Sequence, residues 1–309
     1  MENGKIIFYG TSAICIPFLK NLIKNFKIEL VITQPDKKGG RKNKIIIPPV
    51  KLFAIENKID YIQPEKLDKN VEEIISRLSP DIAIVIAYGQ LIPKSIYQIP
   101  KFNTINVHFS LLPKYRGAAP VQRAIENGET KTGITIFSIS KKMDAGQIWY
   151  KESFIIESDD TTEILWDKLS NFATPILTST ISNIIKDTIT KKKQNHLDAT
   201  YASPISKSEG EINWDMSANT IHNKLRAFFP WPGIFFRMNN KKFRITKAKV
   251  ASIKHSLDIG KIVKLDKSGL YIACANKSVL KIKTFQPEGK KPMTPHSYSV
   301  GNEISSNLN

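Results

Sequence analysis

Residues 81–89 read DIAIVIAYG, an apolar run too short for a membrane span and lacking the alternation of a half-buried strand. Its β-branched residues and terminal glycine make it a strand. A strand apolar on both faces must be covered on both, and the architecture that does this is a parallel sheet with helices on either side. The flanking pattern agrees. Strand-like segments at 5–10, 29–34, 104–110, 133–139 and 147–156 alternate with helical periodicity at 13–25, 50–58, 67–78, 119–127 and 161–186. Asp160, with Glu163 three residues on, is the expected N-cap of the last helix. The expectation is a doubly wound, Rossmann-like α/β domain with a mostly parallel sheet over residues 1–188.

The periodicity fails from 187 to about 208, a polar stretch interrupted by Pro204, and residues 189–208 read as a linker. Beyond it, after a short helix near 218–228, five short strands are expected at 233–238, 242–250, 261–265, 269–275 and 279–285, the first two joined at Asn239-Asn240. This pattern predicts a small C-terminal β-barrel over 209–309, the partly open oligonucleotide-binding type being one candidate. Trp231, between Pro230 and Pro232, is expected in its core rather than stacking on a base.

A chain of 309 residues, 41% hydrophobic and 24% charged, can build two folded domains. Two cysteines make neither a disulfide framework nor a zinc cluster. The start has no secretory leader pattern, and no apolar run reaches the ~20 residues of a membrane helix. A reducing, cytoplasmic setting is therefore expected. The formal charge of +18 points to a polyanion, nucleic acid first. From residue 208 onward 17 Lys and Arg stand against 7 Asp and Glu, more than half the excess in the last third.

The first strand–helix turn, Gly10-Thr11-Ser12-Ala13, lacks the three-glycine dinucleotide spacing, so nicotinamide chemistry is not expected. Ligands of open α/β sheets bind at the carboxyl ends of strands. Tyr88 ends one strand, and Asn106 and His108, two apart on another, share a face. Asp144, in the Gly-bearing turn 142–146, adds a carboxylate. Converging, they would supply an amide donor, a ring titrating near neutrality and an acid to orient it. Each alone is equally an ordinary structural residue.

The motifs taken together decide more. NVHFSLLPKYRGAAPVQRAI (106–125) resembles the signature of the folate-dependent formyltransferases, and MDAGQI (143–148) their second conserved loop. TQPDKKGGRKNKIIIPPVK, RAFFPWPG and FQPEGKKPM extend the resemblance along nearly the whole chain, to the methionyl-tRNA formyltransferase branch. The resemblance implies that Asn106, His108 and Asp144 are the catalytic trio. It also implies that Ser110, Leu111, Leu112 and Pro113 contact the reduced folate and that Tyr88 walls its pocket. Phe109 stands where the family usually has glycine.

The implied reaction moves the formyl group of 10-formyltetrahydrofolate, a co-substrate, to the α-amine of initiator methionyl-tRNA, without a metal. Asn106 and His108 would donate to the oxyanion of the tetrahedral intermediate, while Asp144 would hold the ring and help remove the amine proton. Arg41 and Lys42, in the basic loop 34–49, and Lys207 match positions that meet tRNA. The barrel, with Lys241, Lys242, Arg244, Lys247 and Lys249, would grip its backbone. A monomer with no membrane attachment is implied. Two rivals are a formyltransferase of a small amine, which would share the trio but need no basic loop, and a non-enzymatic RNA-binding protein, which would leave the trio unexplained.

Overall fold

The computed structural model describes residues 4–39 and 44–305. They group into two units: residues up to 120 with 131–155 and 166–202, and residues 121–130 and 156–165 with those from 203 onward.

The first unit is built on seven strands: β1 (Lys5–Gly10), β2 (Lys27–Ile32), β3 (Tyr61–Ile62), β4 (Ile82–Ile86), β5 (Thr104–His108), β6 (Lys131–Ser138) and β7 (Ile148–Ile155), in the order β7-β6-β5-β4-β1-β2-β3. β3, β2, β1, β4 and β5 run parallel. β6 and β7 are antiparallel additions. The chain moves outward from β1 through β2 to β3, then returns to β4 on the other side of β1. That reversal opens a crevice at the carboxyl ends of the central strands.

The apolar run reads as its composition requires, with all five β4 residues buried. On one face Ile7, Tyr9, Leu30, Ile32, Ala83 and Val85 pack with Val71 and Ile75 of helix Lys69–Leu78. That helix starts where Asp68 accepts the Val71 amide at 3.2 Å. At the start of helix Thr162–Ile185 the Ile164 amide donates to Thr161 Oγ1 at 3.4 Å. The Asp160 carboxylate accepts the Glu157 amide at 2.9 Å.

The basic segment 34–49 forms a two-stranded ladder, Lys37–Gly39 against Lys44–Ile46. Its base is tied down by Asp36, which accepts from Lys51 at 2.7 Å and Gln63 at 2.8 Å. Arg41 and Lys42 lie outside the described residues.

In the second unit five strands follow one another as expected: β8 (Ile234–Met238), β9 (Lys241–Ala251), β10 (Ile262–Asp266), β11 (Gly269–Cys274) and β12 (Ser278–Pro287), antiparallel in the order β8-β9-β12-β11-β10. Among the described residues no ladder joins β8 to β10. Phe236, Phe243 and Phe285 fill the interior, with Phe236–Phe243 centroids 5.4 Å and Phe243–Phe285 centroids 5.2 Å apart. Irregular register between Ile245 and Ala248 moves the buried positions from Phe243 and Ile245 to Ala248. The basic residues before and after that irregularity therefore stay off the core. Trp231 is not in the core but 58% exposed. It sits on the turn between helix Ala218–Ala227 and β8, while Phe228 and Phe236 take the buried places.

Candidate active site

A cavity of about 980 Å³ opens at the carboxyl ends of β4 and β5, lined by Tyr88, Asn106, His108 and Asp144 among others. Asn106 pairs with Val85 of β4 and with Phe137 of β6. Two residues on along the same strand face, roughly 6.6 Å away, stands His108. The sheet thus delivers the amide and the imidazole to one wall.

His108 is held by its far nitrogen: Nε2 lies 2.8 Å from the Tyr115 carbonyl. A carbonyl only accepts, so Nε2 carries the hydrogen and Nδ1 keeps its lone pair in the neutral ring. Nδ1 is 3.8 Å from Asp144 Oδ2. That is an ion-pair distance once the ring is protonated, and too long for a hydrogen bond. The same carboxylate oxygen accepts the Gly117 amide at 2.7 Å. Asp144 itself adopts φ +50°, a left-handed conformation that aspartate tolerates better than most residues. At Gly146, two residues on, a Cβ would overlap the Ser138 carbonyl, so only glycine fits.

Tyr88 lies two residues beyond β4, and its carbonyl accepts the Thr11 hydroxyl at 2.9 Å. Its ring meets Tyr9 edge-on at 5.4 Å. The Tyr88 hydroxyl is buried with no protein partner, and burial pushes its pKa up to about 12. It is therefore a neutral donor across the physiological range. Phe109 is among the residues lining the cavity, yet only 4% exposed, its ring 5.2 Å from Trp166, which also lines it, and 6.4 Å from Phe18.

Ser110, Leu111, Leu112 and Pro113 do not line the cavity. Their groups are spent on the turn: Ser110 Oγ donates to the Lys114 carbonyl at 2.6 Å, and Thr135 Oγ1 bridges the Ser110 carbonyl and the Leu112 amide at 2.7 and 3.1 Å. The Thr135 bonds tie the loop to β6. Gln90 to Lys94 and Ile139 to Lys141 line the cavity. Nothing in the local pattern of either stretch marked it. Lys207 is exposed, in the second unit, at the start of the short turn Ser208–Gly210. Among the described residues no group of three or more His, Cys, Asp or Glu is placed to hold a metal ion.

An amide donor, an imidazole with one free nitrogen and an adjacent carboxylate on one wall can donate to a developing oxyanion and move a proton. The formyl transferase family model matches residues 5–181, and that of the formyl transferase C-terminal domain matches 204–303. The chain belongs to the formyl transferase family.

Among its relatives, the methionyl-tRNA formyltransferase of Caldicellulosiruptor saccharolyticus is 40% identical over 305 residues, covering 97% of both chains. That of Sulfurihydrogenibium sp. is 41% identical over 303 residues, with the same coverage. Of solved structures, a methionyl-tRNA formyltransferase from Clostridium thermocellum matches with TM-score 0.55 and 20% identity, over 80% of this chain and 93% of that one. An N-formyltransferase from Helicobacter canadensis in complex with folinic acid and dTDP-3-aminofucose reaches 0.68 at 22%, over 91% and 98%. At these identities the solved structures establish the fold alone.

Proposed function

We propose that the protein transfers the formyl group of 10-formyltetrahydrofolate to the α-amine of methionyl initiator tRNA, giving the formylated tRNA that starts translation. The observation that carries this is identity near 40% to methionyl-tRNA formyltransferases along 97% of this chain and of each relative. The fold does not choose the acceptor, since sugar N-formyltransferases share it.

The cavity suits a reduced folate. Apolar side chains from Leu91 to Pro93 offer a wall for a flat ring. When bound, the folate supplies an electrophilic formyl carbon. The residues of the chain do the rest. Asn106 donates its amide N–H to the formyl oxygen as charge develops there, the setting in which loss of one donor costs ~10²–10³ in rate. His108 takes up or presents a proton at Nδ1, the nitrogen its Tyr115 bond leaves free. Asp144 stabilises the charged ring across 3.8 Å and, through water, helps draw the proton from the attacking amine.

The acceptor end of the tRNA meets the 34–49 segment with Arg41 and Lys42, while Lys207 and the basic strands of the second unit hold its phosphates. Phosphate contacts position the molecule without reading it, so discrimination of the initiator belongs at the acceptor end. The protein acts as a monomer in the cytoplasm. Formyl transfer to methionylated initiator tRNA, methionylated elongator tRNA and a small amine tests this. Transfer to the initiator alone is expected; transfer to the small amine and to neither tRNA would refute it.

A further inference from the structure

We infer that Gln194, in the stretch that reads from sequence as a linker, is a positioning residue for Asp144. The inference rests on the formyl-transfer reading above. Gln194 is 7% exposed in a segment otherwise at the surface, and both ends of its side chain are used. Nε2 donates to the carbonyls of Asp144 and Gly146, each at 2.8 Å. Oε1 accepts from Arg116 at 2.6 Å (Nη2) and 3.2 Å (Nε). One face of the amide thus fixes the backbone carrying Asp144 in its left-handed turn. The other fixes Arg116, whose neighbour Gly117 supplies the amide that holds the Asp144 carboxylate. A single planar group sets the catalytic carboxylate from behind and from the side.

The rest of the segment serves the same geometry. Ile148 and Lys192 exchange two backbone hydrogen bonds of 2.8 Å, and Tyr201–Ala202 pair with Arg116–Gly117. Thr200 Oγ1 accepts the Tyr115 amide at 2.8 Å, and Tyr115 is the residue whose carbonyl fixes the His108 ring. Residues 192–202 are a strap across both catalytic loops, with Gln194 at its hub.

Gln194→Leu keeps the volume and removes every bond. Gln194→Glu keeps the acceptor for Arg116 and turns a carboxylate on the two carbonyls. A displacement of about 1 Å at a reacting group costs ~10²-fold, so kcat for tRNA formylation should fall ~10–100-fold in both, with KM for either substrate within ~3-fold. Because Gln194 acts through Asp144, adding Gln194→Leu to Asp144→Ala should cost less than ~2-fold more. A kcat within ~2-fold of the unmodified protein, or losses that multiply in the double variant, would overturn the inference. So would loss of cooperative folding in both single variants, which would make Gln194 a core residue only. If the unmodified protein formylates no tRNA, the functional reading has failed on its own. The strap is then read from the ¹⁵N shifts of His108 in ligand-free protein. The Nε2-protonated ring should be fixed in the unmodified chain and average between tautomers in Gln194→Leu; unchanged shifts would refute positioning.

Discussion

Phe109 occupies a place that the family usually gives to glycine, and the structure says what its ring does. It is 4% exposed, tilted against Trp166 and edge-on to Phe18, in the cavity lining next to His108. Phe109→Ala removes a ring from between two other rings that are anchored on separate helices, so the gap cannot readily collapse. Buried Phe→Ala changes cost about 3–5 kcal/mol, combining lost transfer energy with the residual cavity. The two ring contacts fall within that figure, each worth about 0.5–1.5 kcal/mol beyond its area. Phe109→Gly should cost a further ~0.5–1 kcal/mol through backbone entropy.

Because the chain has two units, a single melting curve would blend them. Native-state hydrogen exchange at the amides of β1 and β4 reads the first unit alone. Its slowest amides should exchange about 10²–10⁴-fold faster in Phe109→Ala, at ~1.4 kcal/mol per decade. A change below about fivefold would mean that the site collapses around the missing ring, and would refute the argument that Trp166 and Phe18 hold it open.

Gly117→Ala places a Cβ 2.6 Å from the Ala202 carbonyl at φ +123°, where an L side chain is already strained. It should cost ~2–3 kcal/mol and, by moving the amide that holds Asp144, at least tenfold in kcat; unchanged turnover would show that this amide is dispensable. In the second unit Arg123 bonds Glu209 at 2.6 Å and holds its carboxyl at about 2, below the usual 4.5. A depressed carboxyl stabilises above its unfolded pKa and loses that contribution as pH falls towards the folded one. Screening at this partly exposed pair reduces the effect to about 1 kcal/mol. The melting gap between the unmodified protein and Glu209→Gln should therefore close between pH 5 and pH 2, and a constant gap would contradict it. Lys242, whose Nζ sits 3.6 Å above the Phe235 ring, is pre-positioned on the outer surface of the second unit. Lys242→Ala should weaken tRNA binding and lower the magnitude of its log-affinity versus log-salt slope by about one, leaving turnover at saturating tRNA intact; an unchanged slope would remove Lys242 from the phosphate contacts.

Much of this molecule was legible in its sequence because the controlling patterns are local. A short apolar run rich in β-branched residues and closed by a glycine reads as a covered strand, which placed β4 and with it the parallel sheet. The period-2 spacing of Asn106 and His108 put both on one wall, and the short-strand pattern after 230 located all five strands of the second unit. Other features depended on partners far along the chain. Asp160 reads as a local cap, and the sequence gives no sign that its carboxylate also accepts the Glu157 amide before it. Trp231 is as apolar as any core residue, but a turn between a helix and a strand leaves it outside. Ser110 to Pro113 carry a recognisable motif, but the sequence gives no sign that Thr135 on a neighbouring strand bonds the Ser110 carbonyl and the Leu112 amide. Gln194 is the furthest case. It is a polar residue in a polar stretch, and only pairing with Arg116, 78 residues before it, and Asp144, 50 residues before it, gives it a buried place. Periodicity records which face of an element is apolar; it holds no record of which distant hydrogen-bonding group will arrive there. The sequence by itself determined the layers and the wall on which the chemistry stands. Tertiary structure decided what holds that chemistry in register.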